Sequence, residues 1–208
     1  MSGVETMPPQ TFSFTEDNLA KAKAIIAKYP PGRQQSAVMP LLDLAQRQGG
    51  GWLPQPALDY IADFLDMPPI RVYEVATFYT MYNLKRVGRH HVQVCTNLSC
   101  WLRGSDAILE SCRKTLGIGL GETTDDGAFT LSEAECLGAC VNAPMAQIGD
   151  DYYEDLTPEA MARILEELRG GGTPKAGPQN GRRSSEPADG LTSLTATKWA
   201  KRLHGKKV

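Results

Sequence analysis

The stretch EAECLGACVNAPMAQIGDDYYED, residues 133–155, decides the fold of this protein. It places Cys136 and Cys140 in a run of small residues, with three residues between them. Alternating apolar residues predict strands on either side of this run, and the acidic DDYYED segment predicts a turn and a short strand. These segments are GAFTLSEAEC (127–136), APMAQIG (143–149) and DDYYED (150–155). The two cysteines are therefore expected in a loop at the end of a strand.

A second pair of cysteines lies upstream, with 35 residues between the two pairs. HHVQVC, residues 90–95, predicts a strand that runs directly into Cys95, and Cys100 follows after four further residues. If the strands that precede the two pairs lie in one sheet, both loops can meet at the same edge. The sequence thus predicts four thiols that converge from two loops.

Two helices complete this part of the chain. SDAILESCRKTLG predicts a helix with Ser105 as its N-cap and Gly117 as its end. TPEAMARILEELRGGG predicts another, with Thr157 as cap and Pro158 at the first helical position. Strand, helix, two or three strands and a final helix make a compact sandwich of helices on a sheet.

The chain before residue 89 reads as a small helical bundle. Thr15 can cap a first helix, and apolar residues at helical spacing predict a second helix over residues 34–48 and a third over residues 57–66. IRVYEVATFYTMY, residues 70–82, predicts a fourth helix, although its β-branched and aromatic residues also suit a strand. The predicted fold class is therefore α+β.

Composition and charge exclude several functions. The net charge of −2 gives no basic face for nucleic acid or an anionic membrane. No window approaches the roughly 18 unbroken apolar residues of a membrane-spanning helix, so we expect no direct membrane insertion. The first residues, MSGVETMPPQTFSFTEDN, predict neither an export signal nor a transit peptide.

The five cysteines indicate metal, cluster or redox chemistry. All five lie between Cys95 and Cys140, and an odd number in so short a span argues against a disulfide framework. Cys112 lies at helical spacing from Ile108 and Leu109, so we predict a buried core residue there and leave it out of the site.

Three kinds of site compete for the other four cysteines. A structural zinc site takes four thiolates, but the CTNLSC spacing is at the long end of its usual range. A dithiol redox site usually requires C-x-x-C, which neither pair has. A [2Fe-2S] cluster has two irons, each held by two sulfurs, and longer loops suit this larger object. The residues from Leu137 to Ala139, of which Gly138 and Ala139 are small, also let backbone N–H groups approach the sulfurs. Spacing alone favours the cluster and leaves zinc as the main alternative.

Several motifs together carry a family resemblance. CTNLSC, ECLGACVNAPM and DDYYEDLTPE occur with RQQSAVMPLLDLAQRQGGGWLPQPALDYIADFL and VYEVATFYTMY in the helical part. This combination closely resembles the NuoE family, the small [2Fe-2S] subunit of respiratory complex I (NADH:quinone oxidoreductase). The likeness covers about residues 14–170, and it is specific because both halves occur in the right order.

The resemblance implies a fold and a set of ligands. It implies a helical bundle followed by a thioredoxin-like [2Fe-2S] ferredoxin domain, which we place at residues 15–88 and 89–170, after an N-terminal arm at residues 1–14. Cys95, Cys100, Cys136 and Cys140 match the four cluster ligands of the family, and Cys112 matches none. Pro144 falls where a thioredoxin-like fold commonly has a cis-proline.

The resemblance also implies a function. The family carries electrons: its cluster, of the N1a type, accepts one electron from the flavin of an NADH-oxidising partner subunit. FMN and NADH are accordingly expected on that partner, and a large iron-sulfur subunit is the second expected neighbour. The implied location is peripheral, on the cytoplasmic side of the bacterial inner membrane. No catalytic residue is expected on this chain.

Alternatives remain at this point. The equivalent small subunit of an NAD-linked hydrogenase or formate dehydrogenase uses the same kind of module, and a zinc-stabilised scaffold would need only the four thiols. Asn97 and Arg103 could tune a cluster from the first cysteine loop, or simply be solvated. His90 and His91 are expected as surface residues of a strand and not as metal ligands.

The chain beyond the last predicted helix changes in composition. GGGTPKAGPQNGRRSSEPADG, residues 170–190, is rich in Gly, Pro and Ser and has little apolar surface to repay ordering. We therefore predict a disordered C-terminal extension over residues 171–208. The alternative is that LTSLTATKWAKRLHGKKV, residues 191–208, forms a short amphipathic helix that docks onto a partner.

Overall fold

The computed structural model describes residues 11–187, 189, 192 and 193. It divides the chain into two compact units, one made of the residues up to Arg89 with Asp125–Gly127, and the other of His90–Thr124 with the residues from Ala128 onward. The N-terminal arm up to residue 10 and most of the segment 191–208 lie outside the described residues, and with them the predictions made for these segments.

The first unit is helical. Its α-helices are α1 Glu16–Ile26, α2 Val38–Gln48, α3 Gln55–Leu65 and α4 Pro69–Phe78, and a 3₁₀ helix, Gln34–Ala37, precedes α2. Thr15 caps α1 as predicted, since its side chain accepts a hydrogen bond from the Asn18 N–H. Pro40 lies in the first turn of α2, where no intrahelical donor is lost.

A single hydrophobic core holds these helices together. Leu41, Leu42, Ile61 and Leu65 are fully buried in it. An aromatic group packs with them, in which one ring pair is stacked and the others meet edge to face. That group consists of Phe12, Phe14, Tyr60 and Phe64. The ambiguous fourth segment is a helix, because Val72 and Ala76, one helical turn apart, both bury in this core.

The second unit is a five-stranded mixed sheet with helices. Its strands are β1 His90–Cys95, β2 Phe129–Ala134, β3 Ala146–Ile148, β4 Asp151–Glu154 and β5 Gly177–Pro178. Its α-helices are α5 Leu98–Leu102, α6 Ser105–Leu116 and α7 Pro158–Arg169. The strand order is β2-β1-β3-β4-β5. β1 runs parallel to β2 and antiparallel to β3, β3 and β4 are antiparallel, and β4 and β5 are parallel.

The pairing of β1 with β2 positions the cysteines. The register runs from His90 opposite Phe129 to Cys95 opposite Ala134. Two parallel neighbours end at the same edge of a sheet, so the loop after Cys95 and the loop after Ala134 start side by side. The helices α6 and α7 share one core with β1, in which Val92, Val94 and Ile164 are buried.

Two local details differ from the sequence prediction. Ser105 does not cap α6: the N-cap is Gly104, in the left-handed region at φ 93°, and the Ser105 hydroxyl is buried. The short helix α5 was not predicted. Its N-cap is Asn97, whose side-chain oxygen accepts a hydrogen bond from the Leu98 N–H and so starts the turn.

The first part of the C-terminal extension also differs from the predicted disorder. Residues 177 and 178 form β5, and the Gln179 N–H donates to the Glu154 carbonyl. Arg182 then forms an ion pair with Asp155, and both side chains are about nine-tenths buried. Composition did not reveal this order, because it rests on backbone pairing and one ion pair and not on apolar burial.

No helix among the described residues is both long enough and apolar enough to cross a membrane.

Candidate metal centre

Four cysteines lie at the shared edge of β1 and β2. Cys95 is the last residue of β1, and Cys100 lies in the middle of α5. Cys136 comes two residues after the end of β2, and Cys140 begins a 3₁₀ helix, Cys140–Asn142. The parallel register of the two strands thus places all four predicted ligands on neighbouring loops.

The sulfur atoms form two close pairs. The Sγ atoms of Cys136 and Cys140 lie 3.7 Å apart, and the Cys95 side chain is close enough to Cys100 to raise the pKa of its thiol. Cys140 is near enough to Cys100 for its charge to act on that thiol. Cys95 and Cys100 are buried, at 3% and 2% exposure, whereas Cys136 and Cys140 are exposed. The site therefore has one wall inside the protein and one at its surface.

The environment of Cys100 disfavours a free thiolate. Burial raises the pKa of its thiol to about 12, and the hydrogen bond with Cys95 and the charges of Cys95 and Cys140 add to that rise. A hydrogen bond from the Met145 backbone acts in the opposite direction. A thiol in such a place becomes a thiolate when a bound metal ion supplies positive charge, which replaces the stabilisation by water that burial has removed.

The first cysteine loop is tied to the strand that leads into the second. The Thr96 hydroxyl donates to a Glu133 carboxylate oxygen, and the Asn97 amide donates to Glu135 at 3.3 Å. Asn97 also caps α5, so its structural role is established whether or not it tunes a cluster. These contacts hold the two halves of the site in register.

The second cysteine loop turns at Gly138, whose φ of 80° favours glycine. The loop is held on both sides of Cys140. The Tyr152 hydroxyl donates to the Leu137 carbonyl at 2.9 Å, and the Arg182 guanidinium donates to the Val141 carbonyl at 2.8 Å. Neither residue was identified from the sequence. The alternation in β4 could have pointed to Tyr152, but no local signal marks Arg182.

Other sequence predictions have clear outcomes. Cys112 is fully buried in the core of the second unit, as predicted, and burial raises the pKa of its thiol to about 12. The Ala143–Pro144 peptide bond is cis, as the resemblance implied. His91 is half-buried and its Nε2 lies 2.7 Å from the Ser132 hydroxyl, while the His90 ring packs near Phe129.

The donor set fits a cluster held by two pairs of sulfurs. Within the described part of the chain, no group of three or more His, Cys, Asp or Glu side chains is arranged to hold a metal ion. The four thiols instead make one close pair on each loop, and a [2Fe-2S] cluster takes two thiolates on each of its two irons. In this chemistry Cys95, Cys100, Cys136 and Cys140 fit the group.

Comparisons with known proteins agree with this chemistry. The family model for the thioredoxin-like [2Fe-2S] ferredoxin matches residues 22–169. The E subunit of NADH-quinone oxidoreductase from Rickettsia conorii is 64% identical over 158 residues, which are 76% of this chain and 95% of the relative. NADH dehydrogenase [ubiquinone] flavoprotein 2, mitochondrial, of Dictyostelium discoideum is 51% identical over 183 residues, which are 88% of this chain and 74% of the relative.

A solved structure shares the fold. In the H2-reduced NAD+-reducing [NiFe]-hydrogenase, one chain matches with a TM-score of 0.57 at 18% identity, over 64% of this chain and 22% of the other. At that identity the likeness concerns the fold alone. On the family match and the high identity to its relatives, this chain belongs to the thioredoxin-like [2Fe-2S] ferredoxin family and, within it, to the NuoE group of NADH-quinone oxidoreductase subunits.

Proposed function

We propose that this chain is the electron-transfer subunit of an NADH:quinone oxidoreductase and holds one [2Fe-2S] cluster of the N1a type. Cys95, Cys100, Cys136 and Cys140 are its ligands. The observation that carries the proposal is the convergence of these four thiols at one sheet edge, as two close pairs. The relatives, which are named as subunits of NADH-quinone oxidoreductase and NADH dehydrogenase, support the choice of enzyme.

When bound, such a cluster supplies reversible one-electron transfer. The residues of this chain supply its surroundings. Cys95 and Cys100 keep water from one side of the site, since both are buried with Ala143 and Met145. The exposed Cys136 and Cys140 leave the other side open at the surface. The buried side of the site favours retention of the cluster, and the exposed side favours exchange of an electron with a partner.

The partner in this proposal is the flavin- and NADH-binding subunit, with the large iron-sulfur subunit as a second neighbour. Four exposed apolar side chains lie within two residues of a proposed ligand and support such docking. They are Leu98, Trp101 and Leu102 around Cys100, and Val141 next to Cys140. Each is more than half exposed. Exposed apolar side chains that lie close together at a redox centre are typical of a surface that a partner protein covers.

Location and domain boundaries belong to the same proposal. The subunit would lie peripherally on the cytoplasmic side of the inner membrane, carried there by its partners. The bundle would span residues 15–88 and the cluster domain residues 89–170. The alternative, a subunit of an NAD-linked hydrogenase, is supported only by a likeness in fold at 18% identity. The identity of 64% to the Rickettsia conorii relative favours the NADH:quinone oxidoreductase.

Metal analysis and spectroscopy of the purified chain test the proposal. We expect two irons and two acid-labile sulfides per chain, visible charge-transfer absorption and, after reduction, a one-electron paramagnetic signal. Cys136→Ala is expected to abolish that signal, because one iron loses a thiolate. A colourless chain that holds one zinc would contradict the proposal.

Cys112 provides the matched control. Cys112→Ser is expected to keep the paramagnetic signal, because this thiol lies in the hydrophobic core away from the loops. It should nevertheless lower the free energy of unfolding by about 1–3 kcal/mol, since it buries a hydroxyl among apolar side chains. Loss of the paramagnetic signal in a folded Cys112→Ser variant would contradict the proposed set of four ligands.

A further inference from the structure

The C-terminal segment 177–187 lies against the loop that carries Cys140. It begins with β5, which pairs with the end of β4 so that Tyr153 lies opposite Gly177 and Glu154 opposite Pro178. The chain then passes the 3₁₀ helix Cys140–Asn142 and contacts it at two points. This segment lies beyond residues 22–169, which the family model matches.

The first contact is made by Arg182. Its guanidinium binds both carboxylate oxygens of Asp155, at 2.6 and 2.8 Å, and one of the same nitrogens donates to the Val141 carbonyl at 2.8 Å. A further nitrogen donates to the Glu186 carbonyl at 3.1 Å. Arginine suits this position because its planar fork can satisfy a carboxylate and a carbonyl together. Val141 directly follows Cys140, so the contact fixes the backbone next to a proposed ligand.

The second contact is made by Asn142, which is 1% exposed. Its side-chain amide donates to the Ser184 carbonyl at 3.1 Å and to the Glu154 carboxylate at 2.6 Å. The Asn142 carbonyl in turn accepts from the Asp155 N–H at 2.7 Å. Glu154, Asp155 and Ser184 thus all bind Asn142. Arg182 binds the preceding residue of the same 3₁₀ helix.

Apolar packing does little to hold this part of the loop. The Val141 side chain is 69% exposed, and Cys140 is exposed as well. The ion pair, by contrast, is about nine-tenths buried, where a bidentate pair with further hydrogen bonds to carbonyls is directional and poorly screened. The polar contacts of the segment therefore set the loop position that apolar burial leaves free.

We propose that residues 177–187 form a strap that positions Cys140 for cluster binding, with Arg182 as its positioning residue. The proposal rests on the proposed function, because the position of Cys140 matters to the cluster only if Cys140 is a ligand. Tyr152 holds the loop before Cys140 and the strap holds it after, so the strap completes the support of this ligand.

The test compares three variants of the full chain: Arg182→Gln, Arg182→Lys and the control Arg183→Gln. Arg183 is the exposed neighbour, so its replacement removes the same charge without the strap contacts. For Arg182→Gln we expect iron release to a chelator about 10-fold faster, as for supporting residues of other metal sites. We also expect altered g values of the reduced cluster and faster amide exchange over residues 137–143, measured also in cluster-free protein.

The Lys variant separates positioning from charge. Lys keeps the charge but cannot bind the Asp155 carboxylate as a fork and reach the Val141 carbonyl as well. We expect its iron release and g values to lie between those of the wild type and Arg182→Gln. It also keeps the test open if the Gln variant does not fold. Wild-type iron release, g values and amide exchange in Arg182→Lys, or identical behaviour of Arg182→Gln and Arg183→Gln, would overturn the strap.

The two proposals fail differently. A wild-type chain without a cluster, or an unchanged cluster in Cys140→Ala, would overturn the proposed function and the strap with it. The strap alone would be overturned if the wild type holds a cluster and Cys140→Ala loses the paramagnetic signal, but Arg182→Gln behaves as the wild type does.

Discussion

Tyr152 and Tyr153 are neighbours in β4 with opposite surroundings. Successive side chains of a strand point to opposite faces, so Tyr152 reaches the cysteine loop while Tyr153 packs in the core between sheet and helices. The Tyr152 hydroxyl donates to the Leu137 carbonyl at 2.9 Å, whereas that of Tyr153 lies 3.5 Å from the Pro174 carbonyl, the limit of a hydrogen bond. The acidic turn predicted from DDYYED therefore also contains a support for the site.

Replacement of Tyr152 by Phe tests that support. We expect the free energy of unfolding to fall by about 0.5–1.5 kcal/mol, the usual worth of one hydrogen bond, and iron release to become faster. Chemical denaturation and release of iron to a chelator measure the two effects. Tyr153→Phe is the control, and should leave iron release at the wild-type rate. Equal rates in both variants would contradict a role for the Tyr152 hydroxyl.

At the scale of elements, β1 carries both a site residue and a titratable side chain. Cys95 ends the strand, and His91 lies half-buried four residues earlier, beside Ser132 of β2. Burial lowers the pKa of His91 below its ordinary 6.5. Between that lowered pKa and 6.5, the unfolded chain binds a proton that the folded chain does not.

The consequence is a loss of stability as the pH falls. The contribution is fully present above pH 6.5 and decreases as the pH drops through the range down to the folded pKa of His91. We expect NMR titration of the imidazole to give a pKa below 6.5, and His91→Gln to reduce the difference in unfolding free energy between about pH 7.5 and 5.5. A measured pKa at or above 6.5 would contradict the burial argument.

At the scale of the whole molecule, each large hydrophobic core lies inside one unit. The helical unit buries Leu41 in its own core, and the sheet unit buries Ile164 in another. Each core contains residues distant in sequence, as expected of a unit that folds around a single core. Stability is therefore expected to be organised by unit.

Cavity-forming substitutions test that organisation. Leu41→Ala and Ile164→Ala should each lower the free energy of unfolding by about 2–5 kcal/mol, because both side chains are fully or almost fully buried. We expect the faster amide exchange, measured by mass spectrometry, to be concentrated in the unit that contains the substitution. Each variant is the control for the other, and equal acceleration in both units would contradict separate cores.

Local sequence determined most of the elements and the chemistry of the site. The caps at Thr15 and Thr157, and the strand that ends at Cys95, were readable because each depends on neighbours within a few residues. Cys112 was separated from the other four cysteines by its helical spacing. The spacing of the four also favoured a cluster over zinc without resolving the choice.

The tertiary structure alone decided how the site is held. That β1 and β2 are parallel neighbours depends on a register between residues about 40 positions apart, which no local pattern encodes. Tyr152 and Arg182 contact the Cys140 loop across 15 and 41 residues of sequence. Asp155 binds Arg182 across a further 27. Residue types and spacing are local properties of a chain, whereas burial and hydrogen-bond partners arise only when distant segments pack together. For that reason the sequence predicted four cysteines as cluster ligands, and only the folded chain revealed the residues that contact the loop around Cys140.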